Sequence, residues 1–405
     1  MLLSGVRVLD LTQYLSGPSA TRMLAELGAD VIKVEFAPDG DPSRLLPFVE
    51  GQHSSYYAQQ NRGKRSVGVD LHHHDGQQLV RDLAMECDVM VENFGPGVLD
   101  RRGLGWDDLH PVHPRLVMAS ISAFGKTGPL SHLQGFDLMG QALSGMMSLT
   151  GDRDGPPQFT GSPIADCAAG MMLFGAIGHA LFHQERTGEG QYIEINLVDP
   201  VFHMHSIAVQ GHSATKGEWR QERSGRQFGI VVPSGTYQGP EGWIVVQVLE
   251  RQWPRLCEAM GRPELAEDPR FGTAAGRVEH ARELIDLVEA WLQTFESDQA
   301  ALSHMEAHKI PAAPVLDPAD ALDHPHFVEG GMLRTVDDPV FGELKVTGLP
   351  ARFSANPRPE VEPTPPHLGR DNAAVLSELL DLDDDAVAEL VERGVVVAHP
   401  PLGGS

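Results

Sequence analysis

Apolar and polar positions along the first two hundred residues alternate between two periods. Val6–Leu11 is a short apolar run that predicts a strand. After Gly17-Pro18 the apolar positions fall at helical spacing as far as Leu27, and Gly28 ends the stretch. Val31–Glu35 predicts a second strand, which completes a βαβ unit of a parallel sheet. The pattern continues with strands at Ser66–Leu71, Val89–Glu92, Leu116–Ile121 and Gln191–Leu197, and a helix at Gly76–Met85. An open α/β sheet of this kind binds ligands in the loops beyond its strand ends.

Past Leu197 the character changes. Residues 201–226 are polar and irregular and read as a linker. Ile230–Val232, Gly235–Tyr237 and Trp243–Val248 then predict strands, and Gln252–Met260, Arg277–Phe295 and Asp298–His308 predict helices. Ile310–Val315 leads out of this unit, Met332–Phe353 is β-rich, Pro357–Pro366 reads as an extended connector, and Asn372–Val397 is an acidic amphipathic helical region. A chain of 405 residues exceeds one compact core. The expected division is a large α/β domain from 1–200, the linker at 201–226, a small α+β domain at 227–325, and a return segment at 326–405 that rejoins the large domain.

One segment stands apart. Residues 167–184 contain no Asp, Glu, Lys or Arg and are mostly small or apolar, which predicts a helix buried in a core with Asp166 at its head. Gly170, Gly175, Gly178, His179 and His183 set it apart from a membrane span. A carboxylate entering an apolar region costs several kcal/mol unless paired, hydrogen-bonded or held in a helix-terminus field. Asp166 is therefore either a helix cap or a residue kept for its chemistry.

The net charge of −25 argues against a nucleic-acid binder and against adhesion to an anionic membrane, so any anionic ligand must be met by local positive charge. Residues 51–69 carry no acid, and Asn61-Arg62-Gly63-Lys64-Arg65-Ser66 supplies three cations. That loop suits a phosphate-bearing ligand or a plain solvated surface. Glu92–Arg101 sets an aromatic ring, an amide and an arginine on a Gly/Pro turn, a set able to stack on a base and hold phosphates, or simply a turn with a buried Phe94.

Several chemistries lack their motifs. No GxGxxG or Walker loop is present, and the nearest approach to GxSxG, Gly211-His212-Ser213-Ala214-Thr215, lacks the second glycine. His72-His73-His74-Asp75 and the pair His179 and His183 come without HExxH and read as structural, so no metal is expected. Cys87, Cys167 and Cys257 form no CxxC pair, and the N-terminus has no signal-peptide pattern, so a reducing cytoplasm is the expected location.

Val8-Leu9-Asp10-Leu11-Thr12 with Gly17-Pro18, Gly28–Glu35 with Gly40-Asp41, Asn61–Ser66, Glu92-Asn93-Phe94, the segment at Asp166, and Arg186–Gln191 occur in this order along nearly the whole chain. Together they resemble the class III CoA-transferases, the family that includes formyl-CoA transferase, carnitine CoA-transferase and the α-methylacyl-CoA racemases. The resemblance implies a Rossmann-like open parallel-sheet large domain built from both ends of the chain, a smaller α+β middle domain, and a homodimer of interlocked rings. It implies no permanently bound cofactor, with coenzyme A as substrate and product, an acyl-CoA donor and a carboxylic acid acceptor. Family CoA sites map onto Tyr14 and Leu15 in the first-strand loop, Lys64, and Asn93, Phe94, Val98 and Arg101.

By the same resemblance Asp166 is the nucleophile. It would attack the donor thioester to give a mixed anhydride, and the released thiolate would return to form an aspartyl-CoA thioester for the acceptor to attack. A carboxylate with a reference pKa near ~3.9 is ionised at neutral pH without help from a histidine. The racemase branch carries Gly-His-Asp where this chain has Gly135-Phe136-Asp137, and Phe136 cannot carry a proton, which argues against racemisation. Asp137 either orients groups near the thioester or bonds a backbone amide. A non-catalytic acyl-CoA-binding protein is the reading from another class. Two departures stand out: Phe36 follows Val34-Glu35 where some relatives have a basic residue, and Ser224–Gly229 replaces the tetraglycine loop of formyl-CoA transferase, which argues against formyl and oxalyl transfer.

Overall fold

The structure, a computed structural model, describes residues 1–50, 53–355, 363–365 and 367–398. Most of the expected 357–366 connector lies outside the described residues. Seven strands make the main sheet: β1 (Arg7–Asp10), β2 (Asp30–Phe36), β3 (Lys64–Val69), β4 (Val89–Glu92), β5 (Val117–Ser122), β6 (Tyr192–Asn196) and β7 (Val396–Val397). Their spatial order is β7-β3-β2-β1-β4-β5-β6. The first six pair parallel, and β7 adds an antiparallel edge to β3. Strand order reverses between β1 and β4, so the ligand-binding crevice of such a sheet falls at the carboxyl ends of those two strands.

Apolar runs rather than alternation mark β4 and β5, as a sheet covered on both faces requires: Val89, Met90, Val91, Val117 and Ala119 are all fully buried. Helix α1 (Ser16–Glu26) crosses from β1 to β2, and α2 (His74–Met85) crosses from β3 to β4 with Leu79, Val80, Leu83 and Ala84 turned inward. The core they close includes Leu9, Ile32, Val67 and Met90, together with Val375, Leu376 and Val396 from the far end of the chain.

Two more helices, α3 (Asp137–Leu143) and α4 (Ile164–Thr187), precede β6. α4 ends at Gly188, whose φ of 79° is the left-handed stop that glycine adopts freely. The expectation of an all-round buried helix needs correction. The buried residues are a stripe of mostly small ones, Ala165, Ala168, Ala169, Gly170, Leu173, Ile177 and Ala180, together with Gln184, while Met171, Met172 and Phe182 on other faces are exposed. α4 is long and apolar enough to cross a membrane by length and composition, yet its stripe packs on α1 and β5.

Contacts group residues 1–144, 161–204 and 324–405 into one unit and residues 145–160 and 205–323 into a second. In the second, Ser234–Gln238, Trp243–Gln247 and Ala312–Pro314 form an antiparallel sheet over a core of Tyr237, Ile244, Val246, Trp253, Leu256, Leu284, Val288 and Met305. Residues 201–226 hold a helix at Ala208–Ala214 rather than irregular chain throughout. Ile230–Val232 is not a strand, and Arg277–Phe295 is two helices separated at His280. The acidic tail is two helices, Asn372–Leu380 and Asp384–Glu392, followed by β7.

Candidate active site

Asp166 is the third residue of α4, not its cap; the cap position is Pro163, which has no side-chain acceptor. The open N–H groups of that first turn go to Asp137, the first residue of α3. Asp137 Oδ1 accepts from the backbone of Ala165 at 2.7 Å and of Asp166 at 3.2 Å, and its Oδ2 accepts from Gln141 Nε2 at 2.6 Å. Asp137 is thus an anion seated on a helix N-terminus, with both oxygens in use.

The Ser16 side chain lies close enough to the Asp166 carboxyl to favour its ionised form. Burial first, and the negative charge of Asp137 second, raise its pKa to about 7 against the lowering effect of Ser16. It is therefore only partly ionised at neutral pH, which revises the expectation from the free amino acid. Cys167 beside it is raised as well, by burial and by Asp166 and Asp137, so the thiol stays protonated and does not compete as a nucleophile. Tyr56, which sequence reasoning passed over, lies close enough for the Asp166 charge to add to burial in holding its phenol up.

One turn beyond Asp166, Gly170 meets α1. A Cβ there would lie 2.1 Å from Ser19 Oγ and 2.6 Å from the Ser16 carbonyl, so the absence of a side chain is what lets the start of α1 abut α4. α1 begins without a cap, since Leu15 at the cap position offers no oxygen. Among the described residues, the N–H groups of Leu15, Ser16 and Gly17 have no acceptor. Uncommitted backbone donors thus lie at the helix start that abuts α4 one turn from Asp166, and free N–H groups at a helix start are able to bind an anion or a developing oxyanion.

The loop before them is held on every side. Thr12 N and Oγ1 donate to Asp10 Oδ1 at 2.9 and 2.5 Å, and Lys33 Nζ donates to the Thr12 carbonyl at 2.6 Å. Asn93, just past β4, clasps Gln13 across the switch point: its Oδ1 accepts from Gln13 N and its Nδ2 donates to Gln13 O, both at 2.8 Å. Phe94 stacks on Phe36 with centroids 5.0 Å apart, so the aromatic residue found in place of a cation packs against the ring of the Asn-Phe turn. Tyr14 is exposed and meets Phe136 edge-on at 6.4 Å, and Leu15 is buried. A small cavity of about 180 Å³ brings Asn93, Phe94, Ser122, Phe124 and Phe136 together. Val98 is half-buried, and Arg101 is exposed with no side-chain partner among the described residues.

Lys64 is placed differently from the expectation. It is 4% exposed, and its ammonium donates to Asp10 Oδ2 at 2.8 Å, Asn61 Oδ1 at 2.8 Å and the Pro18 carbonyl at 3.1 Å. Its neighbours are also committed, Arg62 to Glu26 and Arg65 to Asp30 and Glu378. The loop is a set of ion pairs rather than an open phosphate patch. Burial would raise Asp10, but Lys64 and Lys33 hold it well below the ordinary range. Glu35 is brought to about 2, burial again being outweighed by Arg44, which grips both its oxygens at 2.7 Å. Among the histidines, His73 Nδ1 accepts from Asp75 N at the start of α2, and His179 Nδ1 lies 2.7 Å from the Gly175 carbonyl of its own helix.

Known proteins share this layout. The profile of CoA-transferase family III matches residues 3–372. Succinyl-CoA:glutarate CoA-transferase from Homo sapiens is 35% identical over 98% of this chain and 90% of its own length. Formyl-CoA:oxalate CoA-transferase from Streptomyces coelicolor is 36% identical over 97% and 99%. The crystal structure of a CAIB/BAIF family protein from Brucella suis superposes with a TM-score of 0.82 at 33% identity, covering 93% of this chain and 99% of that one. With its mostly parallel sheet and a family match over nearly its whole length, the chain belongs to CoA-transferase family III and is a CoA-transferase.

Proposed function

We propose that this chain moves CoA from an acyl-CoA to a carboxylic acid through covalent intermediates on Asp166. The ionised carboxylate attacks the thioester carbonyl, the C–S bond breaks, and CoA leaves as thiolate from a mixed anhydride. The thiolate then attacks the Asp166 carbonyl carbon and expels the donor's carboxylate, leaving an aspartyl-CoA thioester. The acceptor carboxylate repeats the first step on that thioester, and the returning thiolate attacks the acceptor's acyl carbon, which restores Asp166. The observation that carries this reading is the pairing of Asp166 with the uncapped start of α1. Donors on Leu15, Ser16 and Gly17 oppose each oxyanion, an effect worth roughly 3–4 kcal/mol per donor in other enzymes.

CoA enters over the switch point, with the Phe94–Phe36 pair under the base, Arg101 on phosphate, and Tyr14, Leu15 and Val98 along the chain. Lys64 and Asn61 act beneath this surface. The names of the relatives share short dicarboxylic acids, so the substrates are drawn from that class. The reading includes a homodimer, because Leu138, Met139 and Leu143 on α3 and Met171, Met172 and Phe182 on α4 leave an apolar face open in one copy. Three unpaired cysteines suit a cytoplasmic location.

Incubation with succinyl-CoA, formyl-CoA and branched acyl-CoAs, each with glutarate or oxalate, followed by hydroxylamine and peptide mass spectrometry, tests the mechanism. A hydroxamate on Asp166 is expected. Exchange of an α-hydrogen with deuterated water, without any adduct, replaces the transferase by racemase-type chemistry.

A further inference from the structure

We propose that Asp41 is a positioning residue for this reaction, acting through the backbone of Tyr14. The inference rests on Asp166 being the nucleophile and on the start of α1 supplying oxyanion donors. Tyr14 has φ of 65°, a left-handed conformation that costs a bulky side chain and persists only where the surroundings impose it. Its N–H donates to Asp41 Oδ1 at 3.2 Å. Asp41 is 1% exposed, receives a second bond from Ser43 N at 2.9 Å on the same oxygen, and pairs through Oδ2 with Lys33 Nζ at 3.0 Å. Lys33 in turn holds the Thr12 carbonyl. One buried ion pair therefore grips the loop at Thr12 and at Tyr14.

The next three residues, Leu15, Ser16 and Gly17, carry the uncommitted N–H groups, and the Ser16 backbone abuts α4 at Gly170, one turn beyond Asp166. The direction in which those donors point follows from the turn at Tyr14. Releasing Tyr14 lets it leave the left-handed region and swings the first turn of α1 away from the carboxyl. Asp41 touches neither substrate nor Asp166 and acts only by fixing the donors.

Four proteins test this: the wild type, D41A, Y14G and D41A/Y14G. Glycine adopts positive φ freely, so the lock is needed with tyrosine at 14 and dispensable with glycine. In the wild-type background, D41A is expected to cut the CoA-transfer kcat by roughly 10²-fold, the penalty of a 1 Å misplacement, with CoA affinity nearly unchanged. In the Y14G background the same change is expected to cost less than about threefold. Equal losses in both backgrounds overturn the proposal, since a general structural role for Asp41 does not depend on residue 14. Hydrogen exchange of the Tyr14 backbone amide, whose hydrogen bond Asp41 accepts, is measured in the proteins with tyrosine at 14 and needs no turnover. D41A is expected to speed it by about tenfold, and an unchanged rate overturns the lock. Should D41A fail to fold, D41N keeps the acceptor for Tyr14 and loses the charge facing Lys33, and near wild-type turnover is expected. A D41N loss as large as that of a Lys33→Met variant instead makes the ion pair the important element and overturns the role of the Tyr14 bond. Absence of hydroxamate on wild-type Asp166 counts against the transferase reading, whereas an exchange pattern indifferent to Asp41 counts against the lock.

Discussion

Asp137 accepts a hydrogen bond from the backbone of Asp166 at 3.2 Å, and so one carboxylate anchors the helix turn that carries the other. The same proximity makes Asp137 the main charged neighbour that raises Asp166, after burial. Asp137→Asn keeps an oxygen for Ala165 and Asp166 and removes the charge. The Asp166 pKa then falls from about 7 toward the ordinary carboxylate range. In a kcat/KM profile the acid limb is expected to move to lower pH, so the variant keeps a larger share of its plateau activity at pH 6 than the wild type. An unmoved limb means that burial alone sets the value.

Removing the proposed nucleophile, Asp166, has a stability consequence with a definite sign. The folded-state pKa of Asp166, about 7, lies above the ordinary value of 3.8, so between these values the folded chain holds a proton that the unfolded chain has released. Stability therefore falls as pH rises through that window and stays reduced above it. Asp166→Asn escapes the penalty. It is expected to be more stable than the wild type at pH 8, by on the order of 2–4 kcal/mol, with the gain vanishing near pH 4. Transfer activity is expected to drop by about 10³-fold or more. Denaturation midpoints at pH 4, 6 and 8 check the first expectation, and a constant difference across pH contradicts it.

Gly170 is the spacing element between α1 and α4. In Gly170→Ala the new methyl meets the Ser16 carbonyl, which is backbone and cannot rotate away, so the helices must separate. A stability loss of about 1–3 kcal/mol is expected. Activity is expected to fall by roughly 10²-fold, because the separation occurs where Ser16 reaches Asp166. Thermal unfolding together with turnover tests this. A variant that loses stability but keeps full kcat shows that the Ser16 contact is dispensable.

Much of the frame is legible in the sequence, because β1 through β6 and α1 are patterned by local apolar runs. Asp166 is legible because it stands alone ahead of an uncharged stretch. Lys64 is misread for the opposite reason: its partners Asp10, Asn61 and Pro18 converge only in the folded sheet, and no local pattern announces that a basic loop will be neutralised from below. Gly170 and Asp41 share that limitation, since each works through a close approach between segments distant in sequence. The two-residue strand Val396–Val397 is hidden behind the helical pattern of the tail, and pairing with Val69 and Gly68 is what makes it a strand.

The open apolar face of α4 gives a test of assembly. Met172 is 47% exposed in one chain. If a second copy covers it, Met172→Glu buries an unpaired charge at a cost of several kcal/mol and disrupts the pair. Sedimentation is expected to show a dimer for the wild type and a shift toward monomer for the variant. Identical sedimentation of the two proteins removes Met172 from any interface.

Asn93 joins the two sides of the switch point, and its amide makes two complementary bonds with one residue. Asn93→Ala leaves both the N–H and the carbonyl of Gln13 without these partners. Each bond is worth about 1 kcal/mol, so a loss of about 2 kcal/mol is expected in stability. The kinetic effect separates binding from chemistry. Asn93 and Phe94 line the proposed CoA path, whereas Asp166 and the start of α1 are held independently by Asp137, Gly170 and Asp41. KM for the acyl-CoA is therefore expected to rise about tenfold with kcat within a few-fold of wild type. A fall in kcat at unchanged KM instead places Asn93 with the oxyanion loop, as a second support of Gln13 rather than a part of the nucleotide surface.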